Sequence, residues 1–473
     1  MEIFKYSGPS FDLYGEEWSD SLALGDGPWP APRAAEPLDA EVEIPGSKSI
    51  TNRELVLAAL ADGPSTLRAP LHARDSQLMI DALKALGVGI EEVPTGSAFG
   101  PDLRVTPAAE LEGGVSIDCG LAGTVMRFVP PIAALALGPV NFDGDAAARK
   151  RPMNGVVDGL KGLGVEVRDD GRAKLPFSVY GTGAVTGGEL EIDSSESSQF
   201  VSALLMPAPR FAEGLRLRHV GDAVPSLPHI GMTVEALRAR GVEVTQSSET
   251  EWHVAPGPIA ARDLVIEPDL SNAAPFLLAA VVAGGEVRIP NWPAETTQVG
   301  DLMRELLPML GAEAALEGTT LVCRMAEGLA TVPRPGIEVD FADAGGELVP
   351  NLAAVCALLS SESRLTSIGH LRGHETDRVA ALAAELGRVG ADVDELEDAL
   401  VIRPGELHGA LWECYEDHRM ATSGALVGLA VDGVELDDVG CVSKTLPQFV
   451  PMWQRMLAGE PDESTTSFVA LEL

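Results

Sequence analysis

Positive charge is what this sequence has least of. Its 473 residues carry 34 Lys and Arg against 71 Asp and Glu, a formal net charge of −37. Such a chain is repelled by nucleic acid and by anionic membrane surfaces, so neither is expected as a partner. The excess suggests solubility in a crowded or salty cytoplasm. Cysteine is scarce as well: Cys119, Cys323, Cys356, Cys414 and Cys441 are scattered, with no CxxC or CxxH pair. That pattern reads as free thiols in a reducing compartment, with no zinc site. No apolar run approaches the ~18 residues of a membrane helix. The first residues lack the basic-then-apolar pattern of a secretory signal. A soluble, cytosolic protein is expected.

What is present is globular: 45% hydrophobic residues with 50 Gly and 34 Pro. The length allows two or more domains with sizeable cores. Residues 1–24 are acidic, turn-rich and aperiodic, and are expected to form a flexible, non-catalytic extension. After residue 40 two helix patterns alternate. One is Ala/Leu-rich, apolar nearly all round, and ends near a Gly or polar turn before a short strand, in windows that run from Leu57, Ile132, Leu204, Leu277, Ala357 and Ala425. The other ends at a glycine before a strand, at Gly87, Gly164, Gly241, Gly311 and Gly390, and at Gly459 without its strand. Both series step by about 70 to 79 residues, the mark of an internal repeat. A unit this large makes a small layered α/β module rather than a solenoid turn. Six modules suggest two lobes of three with a cleft between them, and the apolar helices should lie buried inside each lobe.

Chemistry concentrates where the repeat is broken. In Pro45-Gly46-Ser47-Lys48-Ser49-Ile50-Thr51-Asn52-Arg53, a turn leaves N–H groups free at a helix start and adds two cations. Basic residues there oppose the helix dipole, a conflict that a bound anion removes. Comparable departures occur at Cys119–Arg127, Arg149-Lys150-Arg151-Pro152 and the serine run Ser194–Ser198 before Gln199. Others are Glu347, His374-Glu375-Thr376-Asp377-Arg378, Glu416-Asp417-His418-Arg419-Met420 and Lys444. Any one could be a solvated cap or a structural salt bridge. Together they place Lys48, Arg53, Arg127, Arg151, Arg378, Arg419 and Lys444 at equivalent helix starts. Positive charge converging in so acidic a chain implies a small substrate with several negative charges.

In order, GSKSITNR, LAGTVMR, KRP, SSQF, HETDR, EDHRM and SKT resemble the motifs of the 5-enolpyruvylshikimate-3-phosphate synthase family, over about residues 40 to 455. The resemblance implies an α/β fold of two lobes, each of three βαβαββ repeats, an inside-out α/β barrel with the cleft between lobes. Residues 47–266 would form the first lobe, and 25–46 with 267–473 the second. It implies transfer of the enolpyruvyl group of phosphoenolpyruvate to the 5-hydroxyl of shikimate 3-phosphate, with release of phosphate. It implies no metal or organic cofactor, and a monomer. The related UDP-N-acetylglucosamine enolpyruvyl transferases are less similar: they usually carry Asn where this chain has Ser49, and often a loop cysteine that is missing here.

By that resemblance, Lys48, Arg151, Gln199, Arg378, Arg419, Lys444 and the backbone at Gly123 would hold phosphoenolpyruvate. Ser49, Arg53, Ser197, Ser198, Ser226, Glu347 and His374 would contact shikimate 3-phosphate. Glu347 falls at the family's carboxylate base, where Asp is commoner, with Asn351 as a rival alignment. Lys48, Glu375 and Lys444 are candidate acids for the methylene carbon. A lysine acid needs a lowered pKa, which clustered positive charge provides. Leu121, Phe128 and His374 stand where Asn, Pro and Lys are frequent, and His374 is expected to titrate near neutral pH. Gly123 keeps the phosphoenolpyruvate pocket from being narrowed. A paralogue with another acceptor is the alternative, and a non-catalytic anion binder a remoter one.

Overall fold

The computed structural model describes residues 27–342 and 346–460. The acidic extension expected at residues 1–24 lies outside them.

The second repeat shows the unit complete: strand Val115–Asp118, helix Gly123–Ala133, strand Leu137–Asp143, helix Asn154–Gly162, then strands Glu166–Arg168 and Phe177–Thr182. The first two strands pair in parallel, the second pairs antiparallel with the fourth, and the fourth with the third. Four other four-stranded sheets repeat this order. Each unit therefore has an inner helix after its first strand and an outer helix after its second.

The inner helices are Lys48–Ala59, Gly123–Ala133, Gln199–Leu205, Leu270–Ala283, Val349–Cys356 and His418–Ala430. They are buried on nearly every side, with polar residues near their starts, and pack on one another at the centre of each lobe, as the sequence predicts. In Leu270–Ala283, every residue from Leu270 to Val282 is buried. The sheets wrap around them, and no sheet closes on itself among the described residues. The outer helices are Arg74–Ala85, Asn154–Gly162, Leu227–Ala239, Met303–Met309, Arg378–Arg388 and Phe449–Ala458. The glycines that mark them in the sequence, Gly87 through Gly459, all sit at positive φ, the left-handed stop that glycine tolerates best.

Two hydrophobic cores result. One gathers residues from Leu55 to Ile259, the other residues from Trp29 to Ile44 and from Leu270 to Met456. The described residues start in the second lobe, where Leu38–Glu41 is the first strand of the fourth repeat, parallel to Gly285–Ile289. It crosses over, builds the first lobe, and returns through Leu264–Val265, which completes the first repeat beside Ser65–Arg68. The two crossings are bonded together: Ser47 N–H donates to the Glu267 carbonyl at 2.7 Å, and Asp269 N–H to that of Pro45 at 2.9 Å.

The sixth sheet differs. Its parallel pair Leu411–Trp412 and Glu435–Leu436 is joined by Trp29–Pro30 from the other end of the chain. The Ala31 N–H points inward to the Val434 carbonyl at 3.0 Å. The alternate positions, Pro28, Pro30 and Pro32, take the outward side of this edge.

Candidate active site

The inner helices of both lobes start at one cleft. Lys48, Gln199, Ser271, Glu347 and Arg419, each at or just before such a start, line it, and Gly123 and Thr124 line an adjoining cavity of about 400 Å³. Each helix start brings free N–H groups and the positive end of a dipole worth about half a charge. The starts are tied across one repeat length. Asn52 Nδ2 donates to Thr124 Oγ1 at 2.7 Å, Arg127 Nη1 to Gln199 Oε1 at 2.8 Å, and Asn351 Nδ2 to Thr422 Oγ1 at 2.9 Å. Asp269 links the lobes: its Oδ1 caps Leu270–Ala283 through the Asn272 N–H, and its Oδ2 accepts from the Lys48 N–H, both at 3.0 Å.

The first-lobe wall is cationic and under-partnered. Arg127 and Arg151 are only 3% and 8% exposed, yet the Nε of each has no hydrogen-bond partner. Burial, with the Arg151 charge second, pushes the Arg127 guanidinium well below its ordinary range. Buried cations that repel one another call for an anion. Arg151 lies against Gly123: a Cβ built there would stand 3.0 Å from Nη2 and 3.1 Å from Nη1. The Lys48 ammonium is 3.8 Å from Asp75 and reaches both cavities.

The second-lobe wall is a network of paired charges. Arg378 donates through Nε and Nη2 to both oxygens of Asp417, at 2.7 and 3.0 Å, and through Nη2 to Glu375 at 3.1 Å. The Lys444 ammonium donates to Glu375 at 2.9 Å. Burial opposes ionisation of Glu375, but Lys444, Arg378 and Arg151 outweigh it and hold the carboxyl well below its usual range. Arg419 donates through Nη1 to the Ser271 carbonyl at 2.6 Å. The seven cations grouped by the sequence are thus not all free. A buried cation needs a counterion, and Arg378 and Lys444 have theirs in Asp417 and Glu375.

Glu347 sits between the walls. Its Oε2 accepts from Ser271 Oγ at 2.9 Å and its Oε1 lies 3.3 Å from His229 Nε2. Burial would raise its pKa, but His229, Arg419 and Lys48 together lower it well below the usual carboxylate range. Its side chain is 25% exposed, and that exposure is to the narrow cleft rather than to bulk water. Asn351, the rival position, is fully buried and bonded to Thr422 and Ser423 between inner helices.

Most of the residues predicted from sequence meet here. Lys48, Ser49, Arg151, Ser197, Ser198, Gln199, Ser226, Glu347, His374, Glu375, Arg378 and Arg419 line the main cleft. Arg53 and Gly123 line the smaller one. Arg53 already gives Nε to Thr233, Nη1 to the Ser49 carbonyl and Nη2 to the His229 carbonyl, and stacks 5.3 Å over Phe128. Burial lowers its guanidinium to about 10. Lys444 lines neither cavity and meets them through Glu375. One expectation is corrected. His374 is not a neutral-pH titrant, because burial and then the Arg378 charge push it well below its ordinary value. Sequence reasoning missed His229, Ser271 and Asp269. His229 lies three residues after Ser226, in the first turn of an outer helix, and belongs to none of the motifs read from the sequence; nor do the seven cations stand at equivalent starts, since Lys48, Arg53, Arg127 and Arg419 lie on inner helices and Arg378 opens an outer one.

A family model described as EPSP synthase (3-phosphoshikimate 1-carboxyvinyltransferase) matches residues 32–453. The chain belongs to this family. It is 54% identical, over 91% of its own length and 97% of the relative's, to a 3-phosphoshikimate 1-carboxyvinyltransferase of Kocuria rhizophila. Among solved structures it resembles EPSP synthase from Acinetobacter baumannii, with a TM-score of 0.72 and 22% identity over 91% of this chain and 98% of that one. The enolpyruvyl transferase NikO from Streptomyces tendae gives a TM-score of 0.68 at 16% identity, over the same shares. At those identities the likeness is one of fold. The two-lobed arrangement of inner helices and outer sheets is therefore the family's.

Proposed function

We propose that the cleft binds phosphoenolpyruvate and shikimate 3-phosphate and moves the enolpyruvyl group onto the sugar-like ring's 5-hydroxyl. The observation that carries this is the Glu347 carboxylate, set between the two walls among cations and helix N-termini from both lobes. Arg127 and Arg151, each with an unpartnered Nε, suit the phosphate of phosphoenolpyruvate, and Arg419 and Lys48, which also line the cleft, suit its carboxylate. Ser197, Ser198, Ser226 and His374 form the side suited to the second phosphate and the ring hydroxyls. Glu347, held ionised, takes the proton of the 5-hydroxyl as its oxygen bonds to C2 of phosphoenolpyruvate, while C3 gains a proton. The tetrahedral ketal then expels phosphate as C3 loses a proton, restoring the double bond. Of the three acid candidates, the geometry favours Lys48. Glu375 is held ionised by its ion pairs, and Lys444 points at Glu375.

The cleft is completed within one chain, which supports work as a monomer, and the five unpaired cysteines suit a reducing cytoplasm. The test is phosphate release from phosphoenolpyruvate with shikimate 3-phosphate, with UDP-N-acetylglucosamine, or with no acceptor. Release only with shikimate 3-phosphate, giving a product heavier by one enolpyruvyl group, is expected. Release with another acceptor, or with none, overturns the reading.

A further inference from the structure

Glu347 accepts a hydrogen bond from Ser271 in its own lobe, and from the other lobe His229 Nε2 stands 3.3 Å from its Oε1. His229 belongs to the first-lobe outer helix Leu227–Ala239, while Glu347 immediately precedes the second-lobe inner helix Val349–Cys356. The backbone of His229 is fixed. Its carbonyl accepts from Arg53 Nη2 at 2.9 Å and from Thr233 Oγ1 at 3.2 Å, and Arg53 is itself stacked on the buried ring of Phe128. The imidazole thus stands at the end of a rigid chain running from the first-lobe core to a carboxylate on the second lobe.

We propose that His229 is a positioning residue for Glu347, aligning the base from the opposite lobe and only when the lobes are closed. With Ser271 alone, the carboxylate keeps rotational freedom about its last bond. With Nε2 bonded to Oε1 as well, both oxygens are pinned, and each retains a lone pair for the cleft. Closure and competence of the base become one event, so a hydroxyl is not deprotonated in a cleft still open to water. Arg53 acts one step further back by holding the His229 carbonyl. This inference rests on the reading of Glu347 as the base.

The ring nitrogen involved makes the test specific. A glutamine amide at 229 reaches the place of Nε2, whereas an asparagine amide reaches only that of Nδ1. His229→Asn is expected to lower kcat by about 100-fold, the scale of a 1 Å misplacement, with both KM values within about threefold. His229→Gln is expected to recover at least about ten of that factor, and Glu347→Gln with His229→Asn to be no slower than Glu347→Gln alone. Unaltered melting temperatures would exclude a merely structural effect. If Glu347→Gln is inactive and His229→Asn keeps its kcat, or if Asn and Gln at 229 are equally slow, His229 has no such role. If Glu347→Gln itself retains kcat, the base assignment fails first.

Discussion

Replacing Gly123 by Ala adds one methyl group at a place where the structure says what it will meet. Its Cβ would lie 3.0 and 3.1 Å from the two terminal nitrogens of Arg151, closer than an unstrained contact. The backbone does not resist, since Gly123 opens an inner helix and Ala is the better helix former by roughly 0.5–1 kcal/mol. The guanidinium must move instead. Arg151 has little to hold it: a 3.3 Å bond from Nη1 to the Leu121 carbonyl, and an Nε without a partner. A shift of a few tenths of an ångström lengthens or breaks one charge-assisted hydrogen bond to the phosphate of phosphoenolpyruvate. Such a bond contributes about 1.5–3 kcal/mol, and partial loss of ~1–2 kcal/mol corresponds to a rise in KM of roughly 5- to 30-fold. Initial rates of phosphate release, with each substrate varied in turn, would measure it. KM for phosphoenolpyruvate should rise while that for shikimate 3-phosphate stays within about twofold, and the melting temperature should not fall. An unchanged KM for phosphoenolpyruvate would refute the placement of Arg151 against that phosphate. Equal rises in both would mean a general distortion of the cleft.

Two further outcomes follow from buried charge. Arg240, with a fully buried side chain, gives Nε and Nη2 to Glu54 Oε2 at 3.0 and 2.7 Å, joining an inner helix to an outer one. Arg240→Ala strands the Glu54 carboxylate and should cost about 3–5 kcal/mol by denaturant unfolding, whereas Glu54→Met with Arg240→Leu should recover most of it; an unaffected single variant would contradict this. His374 and His418 are pushed well below the ordinary histidine value, first by burial and then by a neighbouring arginine, and burial lowers His370 against the opposing charge of Asp398. In the unfolded chain they gain protons as pH falls through about 6.5, while the folded chain stays unprotonated. Stability is therefore full above that value and lost below it, by at most ~1.4 kcal/mol per pH unit for each group. Melting temperatures measured from pH 8 to 5.5 should decline in the lower part of the range, and a flat profile would contradict the burial argument.

The architecture was legible because it is repetitive and local. Six glycines at outer helix ends and six apolar inner helices announce themselves within short windows, and the departures at Lys48, Gly123, Gln199, Glu347 and Arg419 mark the ends that converge. What was not legible depends on distant partners. Nothing near Trp29 or Leu38 shows that these strands pair with residues some four hundred and some two hundred and fifty positions away. Histidine at 374 reads as a neutral-pH titrant until Arg378, His370 and burial are placed around it. Glu347 and Asn351 differ in direction, which the sequence does not show: one faces the cleft and the other its neighbouring helices.

The proline-studded edge of the sixth sheet has a consequence for how the molecule is made. Trp29 and Leu38 leave the ribosome early, but their partners, around Leu436 and Gly285, are synthesised much later. The first lobe can assemble in between, leaving an unpaired strand waiting beside newly formed sheets. A strand with prolines at 28, 30 and 32 offers hydrogen-bond donors on one side only. It can dock once, on Glu435–Leu436, and then presents a rim with no N–H groups that a second nascent chain could pair with. The same three residues thus keep an early segment available for a late partner and keep the finished sheet at three strands.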